Sequence, residues 1–207
     1  MENINNVAQT DNKKKPFFNR IIESLLEYVE ILVVALAIVV VLFTFVVRLC
    51  EVKGASMNNT LLDSEKLLVS NMFYEPKGGD IIVFHQTGYL NEPVVKRVIA
   101  VGGETVDIDF DTMKVTVTDK NGNSRVLDEY YAFYDSKYEK RYSSDPTDYK
   151  FPVEVPEGYL FVMGDNRYNS LDSRFKEVGL VDERRVLGKV IFRITPFSKM
   201  GIIGEVD

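Results

Sequence analysis

Hydrophobic and polar positions divide the chain into three stretches. Residues 1–20 are polar, with Lys13-Lys14-Lys15 ahead of Pro16, and read as a tail without regular structure. From Ile31 to Val47, seventeen residues carry neither a charge nor a helix breaker. Such a helix rises about 25 Å, at the short edge of what crosses a bilayer core. Glu30 and Arg48 bound it, where charged side chains reach the headgroup layer. A buried helix of a soluble protein is the competing reading. A cleavable signal peptide fits less well, because its apolar region is shorter and no A-x-A-like site follows Val47.

Beyond Val52 the pattern changes to short apolar runs. Leu67-Leu68-Val69 and Ile81-Ile82-Val83-Phe84 flank the turn-rich Pro76-Lys77-Gly78-Gly79-Asp80. Val94–Val101 follows, then Gly102-Gly103 and Thr105–Asp109. Met113–Asp119 alternates apolar and polar residues, and Asn121-Gly122 predicts a two-residue hairpin before Val126-Leu127. Tyr159–Met163 and Val190–Ile194 are further strands, and one short helical candidate lies near Asp182–Arg185. Many short strands at regular spacing predict an all-β domain, barrel-like or a folded sheet. The stretch Asp128–Tyr149 breaks the pattern, with Tyr130, Tyr131, Tyr134, Tyr138, Tyr142 and Tyr149 among charges. It reads as an excursion from the β-core, bounded by Pro146 and Pro152, whose tyrosines cover a small subdomain or form a binding surface.

The chain has 207 residues, which suggests one folded domain plus appendages. A net charge of −6 without a Lys/Arg cluster argues against nucleic-acid binding. The lone Cys50 excludes an internal disulfide framework and reads as a passive residue at the membrane edge. The lone His85 excludes a histidine-based metal cluster, so no metal or cofactor is expected. Lys13, Lys14, Lys15 and Arg20 precede the apolar span, against Arg48, Lys53 and Lys66 after it. That excess leans toward an N-terminus on the cytoplasmic side.

Ser56 stands nine positions beyond Val47, in Gly54-Ala55-Ser56-Met57-Asn58-Asn59-Thr60-Leu61. Small residues before a serine leave its hydroxyl accessible, and its own N–H can help bind an oxyanion. A serine in a polar loop is, however, most often only a loop residue. Lys96 interrupts the run Val94-Val95-Lys96-Arg97-Val98-Ile99. In a strand, Val94, Lys96 and Val98 share one face and Val95, Arg97 and Ile99 the other. A lysine buried among valines is desolvated, which lowers its pKa and lets its amine act as a base. On an exposed face it would simply reach water. The third element is the polar block Gly164-Asp165-Asn166-Arg167-Tyr168-Asn169-Ser170-Leu171-Asp172-Ser173-Arg174. As a surface loop it needs no function. Buried, Asp165, Asp172 and Arg174 can supply one another's partners, and Ser170 is a candidate to hold the Lys96 amine.

These residues carry a resemblance. The chain resembles the bacterial type I signal peptidases (leader peptidases), membrane-bound serine proteases with a Ser–Lys dyad that remove signal peptides from exported proteins. The shared features are Ser56-Met57 with Thr60-Leu61, Gly79-Asp80-Ile81-Ile82-Val83-Phe84, Lys96-Arg97-Val98-Ile99-Ala100 with Gly102-Gly103, and the Gly164–Arg174 block, in order after an N-terminal span. The resemblance implies Ser56 as nucleophile, Lys96 as general base, Ser170 supporting the lysine and the Ser56 N–H in the oxyanion hole. It implies Asp172 and Arg174 as a structural ion pair, with Asp165 and Arg167 in the same block. It further implies a mostly antiparallel catalytic domain at 51–207 with a variable insertion at about 110–155, behind a cytoplasmic tail at 1–27 and a transmembrane anchor at 28–50. Small apolar pockets near Val52, Met57 and Val95 would take the small residues that precede cleavage sites. The implied partners are signal-peptide-bearing preproteins and the lipid bilayer; the implied location is the bacterial cell membrane, with the catalytic domain outside.

Two positions depart from the family pattern. Gly54 stands where some relatives are thought to place an oxyanion-binding serine. Asn59 stands where the family usually has proline, which predicts a less rigid Ser56 loop. A Ser–Lys self-cleaving regulator shares the dyad but carries a DNA-binding module instead of a span. An inactive membrane docking protein on a peptidase fold would share the span and the strands. A Ser–His protease would have to use His85, which ends the Ile81–Phe84 strand.

Overall fold

The computed structural model describes residues 17–85, 92–134, 137 and 150–203. The Lys13–Lys15 tail, Pro16, Tyr138, Tyr142, Pro146 and Tyr149 lie outside the described residues. The chain divides into two units, Met1–Phe45 and Val46–Asp207.

Among the described residues the first unit holds one helix, α1, Phe17–Phe45. Its segment Ile21–Val41 is long and apolar enough to cross a membrane. Every side chain along that segment is exposed, whereas a core helix buries at least one face. Helix therefore begins within the stretch read as tail, because Phe17, Phe18, Ile21, Ile22, Leu25 and Leu26 recur at helical spacing. It also stops before the expected end of the anchor at residue 50. Val47–Glu51 pairs as a strand, and that pairing claims Arg48, Leu49 and Cys50.

Among the described residues the second unit is built of twelve strands. They are β1 (Val47–Glu51), β2 (Lys66–Ser70), β3 (Ile81–His85), β4 (Pro93–Val101), β5 (Thr105–Asp109), β6 (Lys114–Thr118), β7 (Ser124–Val126), β8 (Val153–Glu154), β9 (Tyr159–Met163), β10 (Val181–Asp182), β11 (Val186–Arg193) and β12 (Gly201–Ile202). One sheet runs β1-β2-β11-β3-β4-β9-β10, with β12 on β11; the second runs β7-β6-β5-β8. All strand pairings are antiparallel. The fold is thus an all-β, mostly antiparallel domain preceded by one apolar helix.

The second sheet begins at Thr105, so it recruits β5 as well as the strands inside the expected insertion at 110–155. Its hairpin is longer than the Asn-Gly pair predicts. Residues 119–123 form the turn, and the Asp119 carboxylate accepts the N–H groups of Asn121 and Asn123 at 2.8 and 2.9 Å. The helical candidate near residue 182 is a single 3₁₀ turn, Glu183–Arg185, capped by Asp182.

Strand β4 lies between β3 and β9 and is buried from Val95 to Ala100. Val95 packs into a cluster with Val52, Met57, Leu61 and Val83, while Val98 packs into another with Ile82, Leu160 and Val162. The residues of β4 feed three cores, since Ile99 and Ala100 pack into a third with Phe161 and Met163. Strand β9 ends at Met163, opposite Arg97, and the polar block follows directly.

Candidate active site

Ser56 sits in the loop joining β1 to β2, and local forces hold that loop. Gly54 has a φ of +82°, a backbone region that glycine enters at little cost. Its N–H donates to Asp63 Oδ1 at 2.7 Å. Met57 and Leu61 are fully buried in the same cluster, and the Leu61 N–H donates to the Met57 carbonyl at 2.8 Å. Burying each such side chain is worth about 1.5–3 kcal/mol, so the residue after Ser56 is pinned into the core. Asn166 donates its backbone N–H to the Ser56 carbonyl at 3.0 Å and its Nδ2 to the Ala55 carbonyl at 3.1 Å. Through these contacts the loop containing Asn59 is anchored without the proline. The Ser56 N–H itself donates to no described residue.

The Lys96 amine lies 2.6 Å from Ser56 Oγ. Lys96 is 3% exposed. Burial lowers its pKa from 10.5 to about 8; the Arg174 charge pushes the same way, while Asp172 and Asp165 oppose it. Among the described residues the other buried cations each face a carboxylate, and Lys96 does not. Unpaired burial of this kind favours the neutral amine.

The Gly164–Arg174 block is internal rather than a surface loop. Asp165, Asn166, Arg167, Ser170, Asp172, Ser173 and Arg174 are all at most 1% exposed. Asp172 and Arg174 pair through two contacts, at 2.8 and 2.9 Å, and Asp172 also accepts the Gly164 N–H at 2.9 Å. Although desolvation opposes it, Arg174 and these hydrogen bonds hold the Asp172 carboxyl below the usual range. Asp165 is not shared with that pair as expected. It takes Arg97 in a bidentate contact at 2.8 and 2.7 Å and accepts the Thr60 hydroxyl. Arg97 reaches it because strand alternation sends consecutive side chains to opposite faces.

Ser170 comes to the site, buried and near enough to Asp172 to help hold that carboxyl down. It lies close against Gly164, as does the Ser56 carbonyl. A Cβ at Gly164 would lie 2.2 Å from Ser170 Oγ and 2.5 Å from the Ser56 carbonyl oxygen. Only glycine lets the block approach the loop this closely. Val52, Met57 and Val95 also come together, but as members of a core cluster with 2, 1 and 7% exposure. They support the loop and offer little open pocket surface. His85 ends β3 and is exposed. Cys50 is half-buried in β1, and desolvation raises its thiol pKa, so it is not activated.

Four residues near the site are not among those singled out from the sequence. Arg97 was visible in the apolar run but overshadowed by Lys96. Asn166 is one polar residue among many in its block. Glu129, which binds Arg167 Nη1 and Nη2 at 2.7 and 2.6 Å, and Tyr131, whose ring lies 3.9 Å from the Arg97 guanidinium, belong to the Tyr-rich excursion. No periodicity there marks which residues turn inward.

The family described as signal peptidase, peptidase S26, matches residues 25–195. Signal peptidase IB of Staphylococcus aureus is 35% identical over 191 residues, covering 86% of this chain and 93% of its own. Signal peptidase I of Bacillus licheniformis is 35% identical over 180 residues, covering 86% of this chain and 92% of its own. A crystal structure of a signal peptidase I from Enterococcus faecalis is 29% identical and aligns with a TM-score of 0.40, over 56% of this chain and 97% of that one. The chain belongs to the signal peptidase, peptidase S26, family.

Proposed function

We propose that this protein is a type I signal peptidase that removes N-terminal signal peptides from exported preproteins at the membrane surface. The observation that carries the reading is the 2.6 Å contact between Ser56 Oγ and a buried Lys96 amine that lacks a carboxylate partner. Neutral Lys96 takes the hydroxyl proton as Ser56 Oγ attacks the scissile carbonyl carbon. The developing oxyanion is met by the Ser56 N–H; Gly54 adds no side-chain donor there. Protonated Lys96 then delivers its proton to the leaving amine, and the mature protein departs. Water, deprotonated by the same lysine, hydrolyses the acyl-enzyme and frees the signal peptide. Ser170, buried beside Gly164, supports the lysine's surroundings through Asp172.

The helix Phe17–Phe45 serves as the anchor in the cell membrane, with the N-terminus cytoplasmic and the β-domain outside. Eleven positions separate Phe45 from Ser56, at most about 40 Å of extended chain. A substrate held by its own apolar segment in the same bilayer lies within that reach. The test is cleavage of a signal-peptide-bearing preprotein by the full chain in detergent or vesicles, with the new N-terminus read by mass spectrometry. Ser56→Ala abolishes cleavage on this reading; a Ser56→Ala protein that still cut at the normal bond would overturn it.

A further inference from the structure

The described start of the Tyr-rich excursion docks on the block beside Ser56. The Phe133 N–H donates to the Asp165 carbonyl at 2.7 Å, and the Arg167 N–H donates to the Phe133 carbonyl at 2.8 Å. Together they form a parallel bridge between Phe133 and Asn166. Asn166 uses the other edge of the same segment, donating to the carbonyls of Ser56 and Ala55. Residues 165–167 therefore behave as a very short strand, with the excursion on one edge and the nucleophile loop on the other.

Glu129 locks this arrangement by charge. Its carboxylate holds both Arg167 Nη atoms, and the two side chains are 8% and 1% exposed. With the guanidinium so fixed, Arg167 Nε donates to the Gly164 carbonyl at 3.1 Å. Gly164 has no slack, since it lies against both Ser170 and the Ser56 carbonyl. A displacement of Gly164 is passed to the serine by contact.

We propose that Glu129 is a positioning residue for Ser56, acting through Arg167, Gly164 and Asn166. The inference rests on Ser56 being the nucleophile. It gives the excursion a part in catalysis without contact between Glu129 and substrate. Glu129 is not among the groups that set the Lys96 pKa, so its loss leaves the direct causes of that shift in place.

The experiment compares Glu129→Gln and Glu129→Asp with the unaltered full chain on one preprotein, with folded fraction fixed by circular dichroism. In Glu129→Gln, kcat per folded molecule falls about tenfold, as a small misplacement of a reacting group demands, while KM and the acid limb of the pH profile stay put. Glu129→Asp keeps the charge and falls between. A merely structural role lowers the unfolding midpoint and leaves kcat per folded molecule unchanged in both variants, which overturns the inference; so does a loss confined to KM. If Glu129→Gln does not fold, the kcat of Glu129→Asp decides alone. A Ser56→Ala control run alongside separates failure of this inference, where the control is dead and the Glu129 variants are normal, from failure of the nucleophile assignment, where the control is active.

Discussion

The two faces of β4 each bury one cation, and they treat it in opposite ways. On one face Arg97 meets Asp165 in a bidentate pair, donates to the Gly79 carbonyl at 2.7 Å and stacks on Tyr131. On the other, its neighbour Lys96 meets a serine hydroxyl and no carboxylate. A buried charge costs several kcal/mol unless paired, and a guanidinium cannot shed its proton whereas an amine can. The Arg97 face is therefore solved by pairing and becomes scaffold. The Lys96 face is solved by neutralisation and becomes a base. Adjacent residues of the same sign thus divide structure from chemistry.

The largest way to break this contrast is to forbid neutralisation. Lys96→Arg should cost on the order of 10³-fold in kcat/KM for preprotein cleavage, because the substituted group stays charged and cannot accept the serine proton. Near-normal turnover would mean that another group serves as base.

Next in size is the scaffold face. Arg97→Met leaves Asp165 buried without its cation, and the folded state should lose about 3–5 kcal/mol, read from denaturant unfolding. Adding Asp165→Leu should restore part of that loss, since the uncompensated charge is gone. A double variant as unstable as Arg97→Met would show that packing, not charge, dominates there.

The smallest effect is a pH dependence. The neutral amine is the active form, so kcat/KM should fall as pH drops below about 8, by about tenfold per unit at its steepest. Stability moves in the same direction. The Lys96 pKa is lowered on folding from 10.5 to about 8, so between these values the unfolded chain binds more protons and stability rises with pH. Lys96→Met removes that rise. An acid limb well below 8 would place a different group in charge of the rate.

Much of this was legible in the residue pattern. Strands β2, β3, β4, β5, β6, β9 and β11 are apolar or alternating runs set off by turn residues, and burial of alternate faces leaves few other ways to fold them. β1 was not legible, because Val47 to Cys50 continues an apolar span and only pairing with β2 separates strand from helix. Arg48 and Leu49 read equally well as a membrane border. The partner of Asp165 was not legible either. Asp172 and Arg174 are close in sequence and pair as expected, whereas Arg97 and Glu129 reach the block from 68 and 38 positions away.

The apolar helix, the all-β character of the rest, and the presence of a serine and a valine-flanked lysine in a familiar order were readable along the chain. Those follow from local hydrophobic periodicity and from short motifs, which are properties of neighbouring residues. That Lys96 lies 2.6 Å from Ser56, that it is buried without a carboxylate, and that Glu129 reaches Arg167 emerges only in three dimensions. The physical reason is that desolvation and ion pairing depend on which distant groups share a small volume. That is set by strand order and by the close approach at Gly164, not by spacing along the chain.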